Sequence, residues 1–207
     1  MMRHEEFTEE DYLDLVRYMK ARISGLSVVS KDDTVEMALI LEGLKKIEPL
    51  VGSQWISADD WLNRYALALG TRAYIPKGWS PAQKAEALVH ECQHVLQFLN
   101  RQYQSDIAPG LEFMWLYLSW GQARVRCEVE AYRAGQMEFR YGLFGHEIPI
   151  NQMVAPLEGS AYLLSSEDQS LARSLLEVAG TTVYAGVSPS TKAGQLGLQW
   201  AVERGLL

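Results

Sequence analysis

Residues 80–101 constrain this chain more than any other stretch. Ser80 offers a capping hydroxyl, and Pro81 sits at the first helical position, where a missing N–H costs nothing. The helix this predicts runs to about residue 101 and carries His90-Glu91-Cys92-Gln93-His94. Side chains four apart on a helix stand one turn apart on one face, so both imidazoles can reach a single ion. Glu91 is turned about 100° from His90 and about 60° from His94, which sets it beside such an ion rather than on it. Leu88, Cys92, Val95 and Leu99 fall on the opposite side and predict an apolar back packed on a core. Cys92 belongs to that back, as a core residue and not a ligand.

The flanking sequence predicts a mostly helical α+β domain. Thr8 followed by Glu9, Glu10 and Asp11 reads as a cap with an acidic first turn, opening a helix to about residue 23. A second helix is expected over 33–47, stopped by Pro49. Residues 65–69, Gly70 and residues 71–75 read as two short strands or one bent strand, followed by a turn at 76–79. A loop of turn formers over 105–110 precedes a long helical region at 111–140, broken near Gly121. Gly142, Gly145 and Pro149 predict an irregular stretch, and two further helices are expected at 167–178 and 191–204. No repeat or linker interrupts this order. The chain therefore reads as one domain, 1–207, with a small antiparallel or mixed sheet before the histidine-bearing helix. Residues 1–60 form a helical N-terminal part, 61–140 the core of a metal site, and 141–207 a helical C-terminal part. With 48% hydrophobic and 22% charged residues over 207 positions, a core of ordinary size is available.

Charge and cysteine usage exclude some partners. A net charge of −7 with no basic cluster argues against nucleic acid. Cys92 and Cys127 are too few for a disulfide framework and read as reduced thiols. The first residues run into acidic positions with no apolar stretch behind them, and the most apolar segment, 111–120, is about half a membrane span. A cytoplasmic protein is expected, or a virion component if the chain is phage-encoded.

A catalytic zinc uses three protein ligands and keeps one open position. The next long helix carries Glu128 and Glu130, about 200° apart, so only one can face the histidines. Gly121, Ala131 and Gly135 share the face of Glu128 and would let that helix come close. The face of Glu130 carries Arg126 and Arg133, the pattern of a solvated ion-pair surface. Glu128 is the better third ligand, with Glu130 the alternative. His146, in a glycine-bearing loop, is the other contender, and could instead donate to an oxyanion. Tyr103, Tyr117, Tyr132 and Tyr141 are further donors by type alone. Gln97 shares the histidine face and reads equally as cleft-lining or surface. The strand ending at Ile75 reads equally as a cleft-bordering edge that could pair with an extended peptide and as an ordinary structural strand. His4, near the terminus, carries no role in this reading, and Phe113, Trp115, Tyr117 and Trp120 read as core or interface.

These residues together resemble the gluzincin metallopeptidases, in which HExxH on one helix is completed by a glutamate on a later helix. Glu128-Val129-Glu130-Ala131-Tyr132 is similar to the ExxA(D) segment of those families, whose first glutamate binds zinc. Residues 65–140 also resemble small bacterial and phage zincins. The resemblance implies His90, His94 and Glu128 as zinc ligands, Glu91 as general base, and a peptide or protein substrate. Tyr132 departs from the pattern, because an aspartate often stands there to hydrogen-bond a ligand histidine. The function expected is hydrolysis of peptide bonds by an activated water that gives its proton to Glu91. Two rival expectations are an assembly protein, virion component or homo-oligomer, that keeps the fold with little activity, and a zinc amidase acting on cell-wall peptides.

Overall fold

The computed structural model describes residues 2–39, 65–100, 120–159 and 164–207, together with Glu42, Asn63 and Tyr162. Helix α1 (Glu9–Arg22) starts where its cap predicts: the Thr8 hydroxyl accepts from the Asp11 N–H and the Asp11 carboxylate accepts from the Thr8 N–H. Tyr12, Leu15 and Met19, on one stripe, are buried. Strand β1 (Ser27–Ser30) follows, a strand that the sequence reading did not anticipate. Strands β2 (Leu67–Leu69) and β3 (Arg72–Ile75) are the expected pair, turned at Gly70, whose φ of 60° suits glycine. The expected helix over 33–47 is described only in part: residues 35–39 are helical, and most of the remainder lies outside the described residues, as do the 105–110 loop and residues 111–119.

The sheet is mixed, in the order β1-β3-β2, with β1 parallel and β2 antiparallel to β3. Of the two readings of the strand ending at Ile75, the structural one is found: it is central and paired on both sides, so it offers no free edge to a peptide, and among the described residues β1 and β2 are the edges.

Helix α2 (Pro81–Leu99) packs against this sheet, against α1 and against the C-terminal half of the chain. Its start is a reciprocal cap between Ser80 and Gln83. Buried positions run almost all the way round it, from Ala82 to Gln97, as befits a helix enclosed by its neighbours. Leu88, Cys92 and Val95 are fully buried as expected, whereas Leu99, at the helix end, is exposed.

The second long helix is continuous from residue 121 to residue 144, in three parts: α3 (Gly121–Tyr132), a π-helical segment (Arg133–Phe139) and α4 (Arg140–Phe144). Gly145, at φ 70°, stops it. The predicted irregular stretch is therefore short. Helix α5 (Ile150–Glu158) occupies most of it despite Pro156, and α6 (Ser166–Tyr184) and α7 (Lys192–Glu203) match the last two expected helices. The fold is α+β and mostly helical. Among the described residues, no helix is long and apolar enough to cross a membrane.

Candidate metal centre

The centre is built where the π segment crosses α2. A Cβ added to Gly135 would lie 2.4 Å from the Glu86 carbonyl oxygen and 3.0 Å from the His90 backbone nitrogen. Only glycine lets the two backbones approach this closely. Gly135 thus sets how near Glu128, on the same helix, comes to the two histidines.

His90, His94 and Glu128 converge there; His90 and Glu128 are buried, and the His94 side chain is 11% exposed. The two Nε2 atoms are 3.2 Å apart. Glu128 Oε2 is 3.7 Å from His90 Nε2, and Oε1 is 3.4 Å from His94 Nε2. An ion bonded tetrahedrally at about 2.0–2.1 Å has neighbouring ligand atoms about 3.3–3.4 Å apart. The two imidazole nitrogens are near that separation and one carboxylate oxygen lies close to each of them, so this buried group could hold a metal ion.

Each imidazole is oriented by a glutamine. Gln136 Oε1 lies 3.1 Å from His90 Nδ1, and Gln97 Oε1 lies 2.9 Å from His94 Nδ1. A carbonyl oxygen can only accept, so each Nδ1 carries a proton, and in the neutral ring the Nε2 lone pair is the one turned to the centre. Gln97 donates in turn to the Cys127 carbonyl at 3.1 Å and to Glu130 Oε2 at 2.7 Å. Glu130 is exposed and steadies Gln97 rather than facing the histidines; Arg133, expected beside it, pairs with Glu138. Tyr132 stands edge-on to the His90 ring, centroids 4.8 Å apart at 87°. The Tyr162 hydroxyl donates to Glu128 Oε2 at 3.2 Å.

The π segment gives this row its alignment. In a pure α-helix, positions 128, 132, 136 and 140 would drift by about 40° per step and about 120° in all. A π turn holds more residues and takes that drift out. His90, Tyr132, Gln136 and Arg140 consequently line one cleft of about 270 Å³, together with Glu91, Glu86, Tyr65 and Tyr162.

The electrostatics suit a cation. Burial works against a charge on Glu128, but the two imidazoles outweigh it and hold the carboxyl well below the usual carboxylate range. Burial likewise opposes protonation of His94, yet Glu128 with its charge and hydrogen bond lifts that imidazole to about 9. A proton thus competes with any cation for His94. Burial raises the Glu91 carboxyl and Glu128 adds to the rise, while the imidazoles and Lys31 pull the other way. Lys31 is fully buried, donates to the Tyr65 carbonyl at 2.8 Å, and is lowered by burial to about 8. Cys92 is raised by burial and by Glu91, and burial pushes Cys127 up to about 12, so both favour the neutral thiol.

His146 is not part of this arrangement. It is exposed in the loop after α4 and does not line the cleft. Tyr141 packs on Tyr184 instead, while Tyr103 and Tyr117 lie outside the described residues. Trp120 is exposed at the start of α3. His4, set aside from the sequence, bonds Glu86 through Nε2 at 2.9 Å. Gln136, Tyr162, Glu86, Arg140 and Lys31 all escaped sequence reading. Gln136 had one signal: it follows Glu128 and Tyr132 at four-residue intervals on the helix. No family model matches the chain, and no characterised protein or solved structure matches it either.

Proposed function

We propose that the chain is a zinc-dependent peptidase in which His90, His94 and Glu128 hold the ion and Glu91 is the general base. The observation that carries this reading is the convergence of the three side chains, with His90 and His94 Nε2 3.2 Å apart and a Glu128 oxygen 3.4 and 3.7 Å from them, beside a cleft that His90 and Glu91 line. Two imidazoles and one carboxylate form a donor set typical of catalytic zinc, with one position left for water or substrate. Zinc held there would supply Lewis acidity, polarising a carbonyl oxygen and making water a stronger acid.

The remaining chemistry belongs to the chain's own groups. Glu91 is held by α2 one residue from a ligand and lines the same cleft. There it takes the proton of the attacking water and returns it to the leaving amine. Burial raises its pKa toward neutrality, where a carboxylate exchanges protons more readily in both directions. Tyr132 and Tyr162 line the same cleft; the Tyr162 hydroxyl is committed to Glu128, which leaves the Tyr132 hydroxyl as the donor to charge developing on the carbonyl oxygen. Gln136 and Gln97 keep both rings in the ligating tautomer. The position that departs from the family pattern, Tyr132, is thereby compensated from one turn further along the helix.

The test is a peptide-library digestion by zinc-loaded protein, beside Glu91→Gln loaded to the same metal content. The expected result is cleavage by the first and about 10²–10⁴-fold slower cleavage by the second. Equal cleavage by both proteins would overturn Glu91 as base. A library left whole by fully zinc-loaded protein would overturn the peptidase reading.

A further inference from the structure

One turn before His90, α2 carries Glu86, a buried carboxylate in the wall of the cleft. It accepts from Arg140 Nη1 with both oxygens, at 2.9 and 3.0 Å, and its Oε1 also lies 2.9 Å from His4 Nε2. Arg140 lies one turn beyond Gln136, the residue that orients His90. Both pairs therefore mark the same place, about 6 Å along the cleft from the ligand histidine.

Arginine presents five N–H donors in one plane, and forks two of them onto a carboxylate. Glu86 uses only Nη1. Among the described residues Nη2 makes no hydrogen bond, and Nε is buried without a partner. An orphaned buried donor costs about 1–3 kcal/mol. A quarter of the Arg140 side chain, 25%, stays exposed, on a residue that lines the cleft. A guanidinium tied through Nη1, with Nη2 unspent on a residue that lines the cleft, can donate a charge-assisted hydrogen bond to a second anion there.

We propose that Arg140 recognises a carboxylate on the substrate, making the chain selective for peptides that carry one close to the scissile bond. The proposal rests on the peptidase reading of the cleft. One residue of extended peptide spans about 3.3–3.6 Å, so about 6 Å places that carboxylate one or two residues from the bond that is cut. A free C-terminus and an aspartate or glutamate side chain present the same group. Glu86 does not forbid it. Its two oxygens are spent on Arg140 Nη1 and His4, and it holds the guanidinium so that Nη2 needs little ordering on binding.

The experiment uses acetylated tetrapeptides in matched pairs, free acid against C-terminal amide, and amide-capped glutamate against glutamine. Binding to zinc-loaded Glu91→Gln protein is measured by calorimetry, and cleavage is followed with the wild type. One acid of a pair is expected to bind about 10- to 100-fold more tightly than its neutral partner, the range of a charge-assisted hydrogen bond. The free-acid pair and the glutamate pair separate the two sources. Arg140→Gln, added to the same protein, should remove the preference while the neutral peptide binds as before; Arg140→Lys should keep part of it. Equal binding within every pair, no binding of any peptide, or a preference that survives Arg140→Gln would overturn the proposal. If Arg140→Gln does not fold, an Arg140→Lys protein with an undiminished preference would overturn it as well. Binding that favours the acid with no cleavage by the wild type removes the peptidase and leaves the subsite. Cleavage of acid and neutral peptides at equal rates does the reverse.

Discussion

Replacing Gln136 by leucine tests how the centre is held together. The Gln136 Oε1 atom is the hydrogen-bond acceptor for His90 Nδ1, at 3.1 Å, on an imidazole whose side chain is 9% exposed. Leucine has a similar volume and no acceptor, so Nδ1–H is left buried and unpaired. That costs about 1–3 kcal/mol, and at about 1.4 kcal/mol per tenfold it corresponds to roughly 5- to 150-fold in zinc affinity if the cost falls on the metal-bound form. The loss found when the outer partner of a ligating histidine is removed, about 10–100-fold, lies inside that range. Gln136→Glu should move affinity the other way, because a carboxylate accepts the same hydrogen bond and makes the imidazole a better donor to zinc. It would restore, one turn later, the charge that Tyr132 cannot supply. Competition against a chromophoric chelator reads both variants, with thermal melts to confirm folding. A leucine variant that binds zinc within about twofold of wild type, while Glu128→Gln is clearly weakened in the same assay, would refute the argument that Gln136 sets the ring.

Further outcomes follow from the same geometry. Glu128→Gln should weaken zinc by at least about 100-fold, since a site worth about 10–16 kcal/mol draws several from each ligand, whereas Glu130→Gln should stay within about twofold; chelator competition separates them. Because His94 is lifted to about 9, it holds a proton near neutrality, and zinc must displace it. The apparent dissociation constant should therefore fall about tenfold per unit as pH rises from about 7 toward 9, and a flat profile would contradict the raised His94. Gly135→Ala forces a Cβ to within 2.4 Å of the Glu86 carbonyl oxygen. It should cost about 1–3 kcal/mol, a drop of about 2–12 °C in Tm by calorimetry, and weaken zinc as well.

Much of the centre was legible because it is written in local chemistry. Ser80-Pro81 announced α2, and the four-residue spacing of His90 and His94 placed them on one face; of the small residues expected to let the second helix come close, Gly135 does lie against α2, whereas Gly121 lies against Asp168 of α6. What escaped depends on contacts distant in sequence or on departures from regular helix. Strand β1 is four residues long and exists through parallel pairing with β3, some 45 positions away, so no local period announces it. Helix α5 was hidden by Pro149 and Pro156, which end helices more often than they sit in them. The π segment has no simple sequence signature, and with it went the alignment of Gln136 and Arg140 on the cleft. Tyr162 comes from beyond α5 to bond Glu128, a partner 34 positions away, and Lys31 reads as a surface residue until the fold buries it.

X-ray absorption at the zinc edge of protein loaded with one equivalent of metal tests the centre most directly. A single shell of nitrogen and oxygen at about 2.0–2.1 Å, with the outer scattering of two imidazoles, is the predicted result. A sulfur contribution at about 2.3 Å, or a shell with fewer than two imidazoles, would mean that His90, His94 and Glu128 do not share an ion.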